Sequence, residues 1–274
     1  MHRDGDRADV GSAVCSEGRA SGLRAGIARR RDVDVECHTS SLCGRLVDVL
    51  NGSDIYREWA PPPAWRGMVA CLWEQRVLTD LKHRVVPDGC ADVIVGFGGV
   101  VAVGLADGPV VHHLAAGSAC RGLRLRPEAV ATFFGVPAYE LRDLDVPLED
   151  VVGTGRTRRL VDVVLHGAPD HTMTAQPPEP VRRALHLLRR KPVDDVAAAL
   201  GFSSRHLRRL VVEHSGLGPK TYQRVVRLRK FLADDAPLAE AATNAGYADQ
   251  AHLTREVTRL CGLPPAALRA ERTR

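Results

Sequence analysis

The chain has 274 residues, 45% hydrophobic and 26% charged, with a formal net charge of +5. That is enough apolar material for one large core or two smaller ones. No apolar run reaches the length of a membrane helix, and the arginine-bearing N-terminus lacks the apolar segment of a secretion signal. Seven cysteines without a C-x-x-C pair read as reduced thiols of a cytoplasmic protein rather than as a disulfide framework.

Taken in chain order, residues 1–54 mix Gly, Ser, Asp and Arg without a sustained period and read as a disordered leader. Within it LCGRLVDVL, 42–50, is expected to form a short helix. From Tyr56 to Gly153 the texture changes. MVACLWEQRV (68–77), HRVVP (83–87), CADVIVGF (90–97), VVAVGL (100–105), PVVHHL (109–114) and ACRGLRL (119–125) are short, Val-rich and separated by Gly, Pro or Asp. That pattern predicts a small sheet or barrel. PEAVATFFG and PAYELRD follow as helical segments, each with proline at its start. APDHTMTAQPPEP, 168–180, has the composition of a linker.

Residues 181–274 differ again. They carry 18 Lys+Arg against 9 Asp+Glu, whereas the remainder carries 20 against 24. A basic C-terminal third on an acidic body points to a polyanionic partner for that third. The expected organisation is α+β in two domains: leader 1–54, β-rich body 55–167, linker 168–180, and an all-α domain over 181–274.

That all-α domain repeats itself. GFSSRHLRRLVVEHSGLGP (201–219) and GYADQAHLTREVTRLCGLPP (246–265) align Gly201 with Gly246 and Phe202 with Tyr247. After a one-residue slip, Leu207 aligns with Leu253, Arg209 with Arg255, Gly216 with Gly262 and Pro219 with Pro265. In each copy a short helix ends at a glycine suited to a left-handed turn. A capping residue, Ser203 or Asp249, then opens a second helix. This is a helix-turn-helix. Helical periodicity puts Leu207, Leu210 and Val211 on one side of the first copy, with Arg205, Arg208, Arg209 and Val212 on the other. In the second copy Leu253, Val257 and Leu260 form the buried stripe, while Ala251, Thr254, Arg255 and Thr258 face out. TYQRVVRLRKFLADD (221–235) supplies a helix between the copies, with Val225, Leu228, Phe231 and Leu232 inward. A stiff helix joining two such units sets the separation of their outward faces, and a separation near one DNA turn, roughly 34 Å, puts both into successive major grooves.

These two stretches resemble the AraC/XylS-type transcriptional regulators over about residues 181–270. The resemblance implies a seven-helix double helix-turn-helix domain and a sequence-specific DNA-binding regulator. By family analogy, Arg205, Arg208 and Arg209 read bases in the first unit, and Ala251, Thr254 and Arg255 in the second. Ala251 departs from the longer polar residue of many members, which weakens readout there. Ser203, Lys220 and His252 are the candidates for phosphate contacts. The segment with HRVVPDGCADVIV and GLRLRPEAVATFFGVPAYELRDLDVPLEDVVG, together with Trp59, Trp65 and Trp73, is similar to an uncharacterised N-terminal domain of actinobacterial-type regulators. It implies a sensor or dimerisation module. The implied partners are double-stranded DNA, RNA polymerase, a small-molecule effector and a second copy of the chain, with no membrane and no cofactor.

An enzymatic reading of residues 56–153, with the basic domain as a tether, is the alternative. Its raw material is thin. Asp88, Cys90 and Asp92 lie in PDGCAD, first of all a turn sequence followed by a strand. His112 and His113 are adjacent, so on a strand they point to opposite faces and cannot share one metal ion. Neither a phosphate-binding glycine loop nor a Pro-Cys-His-Arg nucleophile motif occurs. No catalytic residue and no metal ligand is assigned.

Overall fold

Alternation of apolar and polar residues fixes which way each strand faces. In the computed structural model, which describes residues 47–51, 54–96, 98–168 and 170–272, the strands are β1 (Val47–Asn51), β2 (Asp54–Trp59), β3 (Val69–Val77), β4 (Leu81–Val85), β5 (Ala91–Gly96), β6 (Gly99–Val103), β7 (Val110–Leu114), β8 (Ala119–Leu125) and β9 (Asp145–Pro147). Seven form one sheet in the order β1-β2-β3-β8-β5-β6-β9, and β4 pairs with β7 in a second. All the pairings are antiparallel. Leu72, Leu123 and Val93 stand opposite one another across β3, β8 and β5 and are buried, which marks the core face.

The other face is polar. The Trp73 indole lies over Gly122, where any Cβ would overlap it, and its Nε1 donates to Asp92 Oδ1 at 2.7 Å. Arg124 reaches Asp92 at 3.2 Å, Glu58 at 3.4 Å and Asp88 at 3.6 Å. Burial pushes the Asp92 carboxyl up to about 6, against the opposing pull of Arg124.

The helices are α1 (Val130–Phe134), α2 (Leu148–Val152), α3 (Thr154–His166), α4 (Glu179–Leu188), α5 (Val193–Ala199), α6 (Ser204–Ser215), α7 (Pro219–Leu232), α8 (Leu238–Ala245), α9 (Gln250–Cys261) and α10 (Pro265–Arg272). Three expectations change. The described part of 42–50 is a strand, not a helix: Val47–Asn51 pairs with β2, and the backbone bonds of that pairing replace a helix too short to hold itself. Asp54, expected in the leader, already opens β2, and the remaining leader residues lie outside the described residues. PAYELRD yields only a single 3-10 turn at Ala138–Glu140. The 168–180 segment is more than a tether, because Met173 is wholly buried in the body's core and Glu179–Pro180 already open α4.

Two hydrophobic cores result. The first is continuous from the sheet through α1, α3 and α4 to α5 and α6, and takes in Tyr222 and Val225 of α7. The second joins Leu228 and Phe231 of the same helix to Ala241, Leu253, Val257, Leu260 and Leu268. One helix therefore ends in each core, and the first helix-turn-helix unit is built into the body.

Candidate nucleic-acid interface

The second helix of each unit, α6 or α9, is shaped by its own first and last residues. Gly201 (φ 68°) and Gly246 (φ 86°) occupy the left-handed region that other residues avoid. The Ser203 hydroxyl accepts from the His206 N–H at 3.2 Å and caps α6. Asp249 accepts from the His252 N–H at 2.6 Å and caps α9. Phe202 lies against the His206 ring at 4.5 Å, as Tyr247 lies edge-on to His252 at 5.4 Å. The one-residue slip between the copies has a structural reason. The extra residue, Ala248, donates its N–H to His252 Nδ1 at 3.3 Å, whereas in the first copy His206 Nδ1 lies 3.5 Å from Arg209 Nη2. Both helices end at glycines in the left-handed region, Gly216 and Gly262.

The buried stripes are Leu207, Val211 and Ser215 in α6 and Leu253, Val257, Leu260 and Cys261 in α9. Leu210 is half-buried against the first core, and Val212, expected outside, is half-buried as well. Arg205, Arg208 and Arg209 are exposed, as are Ala251, Arg255 and Thr258. Thr254 is half-buried, and its hydroxyl donates to Gln250 O at 2.8 Å. Its methyl group and the remaining oxygen lone pairs are what it can offer a partner.

Charge pairing sets these arginines apart from Arg84, Arg224 and Arg227. Arg224 and Arg227 hold Glu256 at 3.3 Å, and Arg84 holds Glu271 at 2.9 Å. Among the described residues no carboxylate engages Arg205, Arg208, Arg209 or Arg255. Unpaired, outward guanidinium groups at matching places on two capped helices match what bidentate contacts to guanine or phosphate require. Lys220 is exposed in the first turn of α7.

The body offers no comparable chemistry. Asp88 Oδ1 accepts from the Cys90 N–H at 2.8 Å, and Gly89 has φ 79°. PDG is thus a side-chain-closed turn. Burial first, then Asp88, holds the Cys90 thiol well above its usual range, the wrong direction for a nucleophile. His112 and His113 sit on successive positions of β7. No helix of the described residues is long and apolar enough to cross a membrane.

Residues 196–271 match a helix-turn-helix domain family, and residues 57–147 match a domain of unknown function, DUF6597. The fold and this site define a DNA-binding protein with two helix-turn-helix units. Residues 196–271 carry a helix-turn-helix transcription-regulator domain of AraC type, with the domain of unknown function ahead of it. Three solved structures are similar. The C-terminal domain of AraT, a response regulator from Geobacillus stearothermophilus, is 21% identical (35% of this chain, 88% of that one, TM-score 0.33). An AraC-type DNA-binding-domain regulator from Chromobacterium violaceum is also 21% identical (35% and 93%, TM-score 0.32). Apo ToxT from Vibrio cholerae strain SCE256 is 10% identical (81% and 98%, TM-score 0.37).

Sequence reasoning missed what the body contributes here. It placed Leu105 at the end of the strand segment 100–105 and Pro109 at the start of 109–114, yet both lie in the connection between β6 and β7, against the ends of α6 and α9. The burial of Leu105 (0% exposed) in a Gly/Pro-rich connection is unusual, since such loops normally run over the surface.

Proposed function

We propose that this regulator reads two successive major-groove segments of duplex DNA, α6 in one and α9 in the next. Arg205, Arg208 and Arg209 contact base edges in the first block. Arg255 forks onto a guanine in the second, with Thr254 and Ala251 beside it for a hydroxyl contact and a thymine methyl. Ser203, Lys220 and the Nε2 side of His252 hold phosphates. The single observation that carries this reading is the equivalence of the two outward faces. Both stand on capped helices, both carry guanidinium groups that no carboxylate of the described chain neutralises, and both hang from one helix.

That helix, α7, has 14 residues and spans about 21 Å at 1.5 Å per residue. A DNA turn is roughly 34 Å. The outward splay of the readers, or a bend of the DNA toward the protein, supplies the difference.

Control belongs to the body in this reading. Its core runs unbroken into the first unit, so any shift in the body's packing reaches α6 directly. A cleft of about 420 Å³ between Pro61–Pro63 and α3, walled by Trp59, Leu72 and Val163 with Arg66 present, suits a small molecule with an apolar body. Such a ligand biases the competence of the readers by its differential affinity for two states.

The test is selection of bound duplexes from a random pool with the full chain, because removing the body would expose Leu207 and Val211. Recovered sequences should carry two short blocks about one helical turn apart. A single block, or none, refutes two-groove reading.

A further inference from the structure

The glycines that end the two reading helices meet the same stretch of the body. A Cβ on Gly216 would come within 2.8 Å of Leu105 Cδ1 and 3.1 Å of Ala138 O. A Cβ on Gly262 would come within 3.2 Å of Pro109 Cβ and 3.5 Å of Arg84 Nη1. Leu105 and Pro109 belong to one connection, GLADGP, between β6 and β7. They lie four positions apart, a reach of at most about 14 Å. This connection therefore touches both readers at equivalent points.

It is also stiff. The Gly104 N–H donates to Leu144 O at 2.9 Å, and Leu105 O accepts from the Asp143 N–H at 3.0 Å. The Asp107 N–H donates to Asp143 Oδ1 at 3.2 Å, with Asp143 itself in the left-handed region at φ 58°. Any side chain at Gly104 would overlap Leu141 O. Beyond Pro109, Val110 pairs with Val85 and Val111 with Arg84. Arg84 then grips the second unit: Nε donates to Glu271 Oε1 at 2.9 Å, Nη2 to Glu271 Oε2 at 3.3 Å, and Nη1 to Cys261 O at 2.9 Å. The last bond satisfies a carbonyl at the C-terminus of α9, where a cation is favoured.

Because the two units sit in separate hydrophobic cores, their relative position depends on α7 and on the side of the body that carries this connection, Arg84 and Val86. Two links close a ring, whereas a single helix leaves a hinge at its junction with the small second core. We infer that Leu105, Pro109 and Arg84 are positioning residues that fix the separation and twist of the two reading helices, and thereby the spacing between DNA blocks that the chain accepts. This rests on two-groove reading.

The experiment uses the full chain and a selected duplex, with versions whose block spacing is one or two base pairs shorter or longer. Each added pair moves the second block about 3.4 Å and turns it by about a tenth of a revolution. Wild type should bind best at one spacing. In Arg84→Ala and Pro109→Ala, the preference for that spacing over its neighbours should fall about five- to tenfold, or the optimum should move, because a loosened link lowers the effective concentration of the second reader at its block. Affinity for a duplex with the first block alone should stay unchanged. Glu271→Gln, which keeps the bond from Arg84 to Cys261, should lie between. Leu160→Ala, in the body core away from the connection, serves as the control for general destabilisation: it should lower the melting temperature and leave the spacing profile alone. A wild-type-shaped profile in folded Arg84→Ala and Pro109→Ala, or equal broadening by Leu160→Ala, overturns the inference while two-groove reading stands. A wild-type profile with no spacing dependence removes both.

Discussion

The two helix-turn-helix units share a sequence plan and differ in what holds them. The first spends its buried stripe on the body: Leu207 and Val211 lie in the core that begins at the sheet, and α6 touches α1 and the 3-10 turn at Ala138–Glu140. The second keeps its stripe to itself, closing Leu253, Val257 and Leu260 over alanines of α8 and over Phe231. Beyond α7, its contacts with the body include the Arg84 grip, Pro109 and Val86. Duplicating a motif thus does not duplicate its mechanical role. One copy is built into the body, and the other is joined to it through α7 and a few side chains.

The largest expected effect sets the two cores against each other. Leu207→Ala and Leu253→Ala should each cost about 2–5 kcal/mol, the range for truncating a fully buried leucine. In denaturant monitored by the body's tryptophans, Leu207→Ala should shift the body's own transition. Leu253→Ala should leave that signal nearly in place while helicity is lost earlier. Equal shifts of one common transition in both variants would erase the distinction.

Base reading should be lopsided as well. Arg209→Ala and Arg255→Ala should each weaken binding to the selected duplex by about 1–3 kcal/mol. The first unit retains Arg205 and Arg208, so its block should stay partly specific. The second has no other outward guanidinium among its expected base-reading positions, so preference within its block should vanish. Competition with block-scrambled duplexes measures this, and retained specificity of the second block in Arg255→Ala would move its reading elsewhere. Affinity of the wild type should also fall steeply with salt as phosphate contacts release counterions. Titration across salt concentrations checks it, and a flat response would contradict a phosphate-anchored interface.

A pH-dependent effect belongs to the sheet's polar face. Asp92 titrates near 6 in the folded chain against 3.8 in the unfolded one. Its folded value is raised, so its contribution to stability is complete below about 4 and is lost as pH rises through 6. Asp92→Asn should therefore gain on the wild type by about 1–3 kcal/mol between pH 4 and 7, read from denaturant midpoints. A constant difference across that range would mean that Arg124 keeps the carboxylate charged throughout.

How far the sequence could be read follows from the range of each interaction. The caps at Ser203 and Asp249, the glycines at 201, 216, 246 and 262 and the outward arginines all act within one or two helical turns, so a short window contains them. Most Val-rich strands were legible for the same reason. The strand at 47–51 was missed because its partner, not its composition, makes it extended, and the 168–180 segment because nothing local reveals that Met173 is swallowed by the core.

Sequence alone, then, delimited two capped helices, each with one apolar and one outward polar face, because helical period and capping are local chemistry. Only the tertiary structure decided that one unit is fused to the body while the other meets it through contacts that include Arg84, Pro109 and Val86. Arg84 lies 187 positions from Glu271, and contacts across such separations are set by the folding of everything between them, which no pattern in a short stretch encodes.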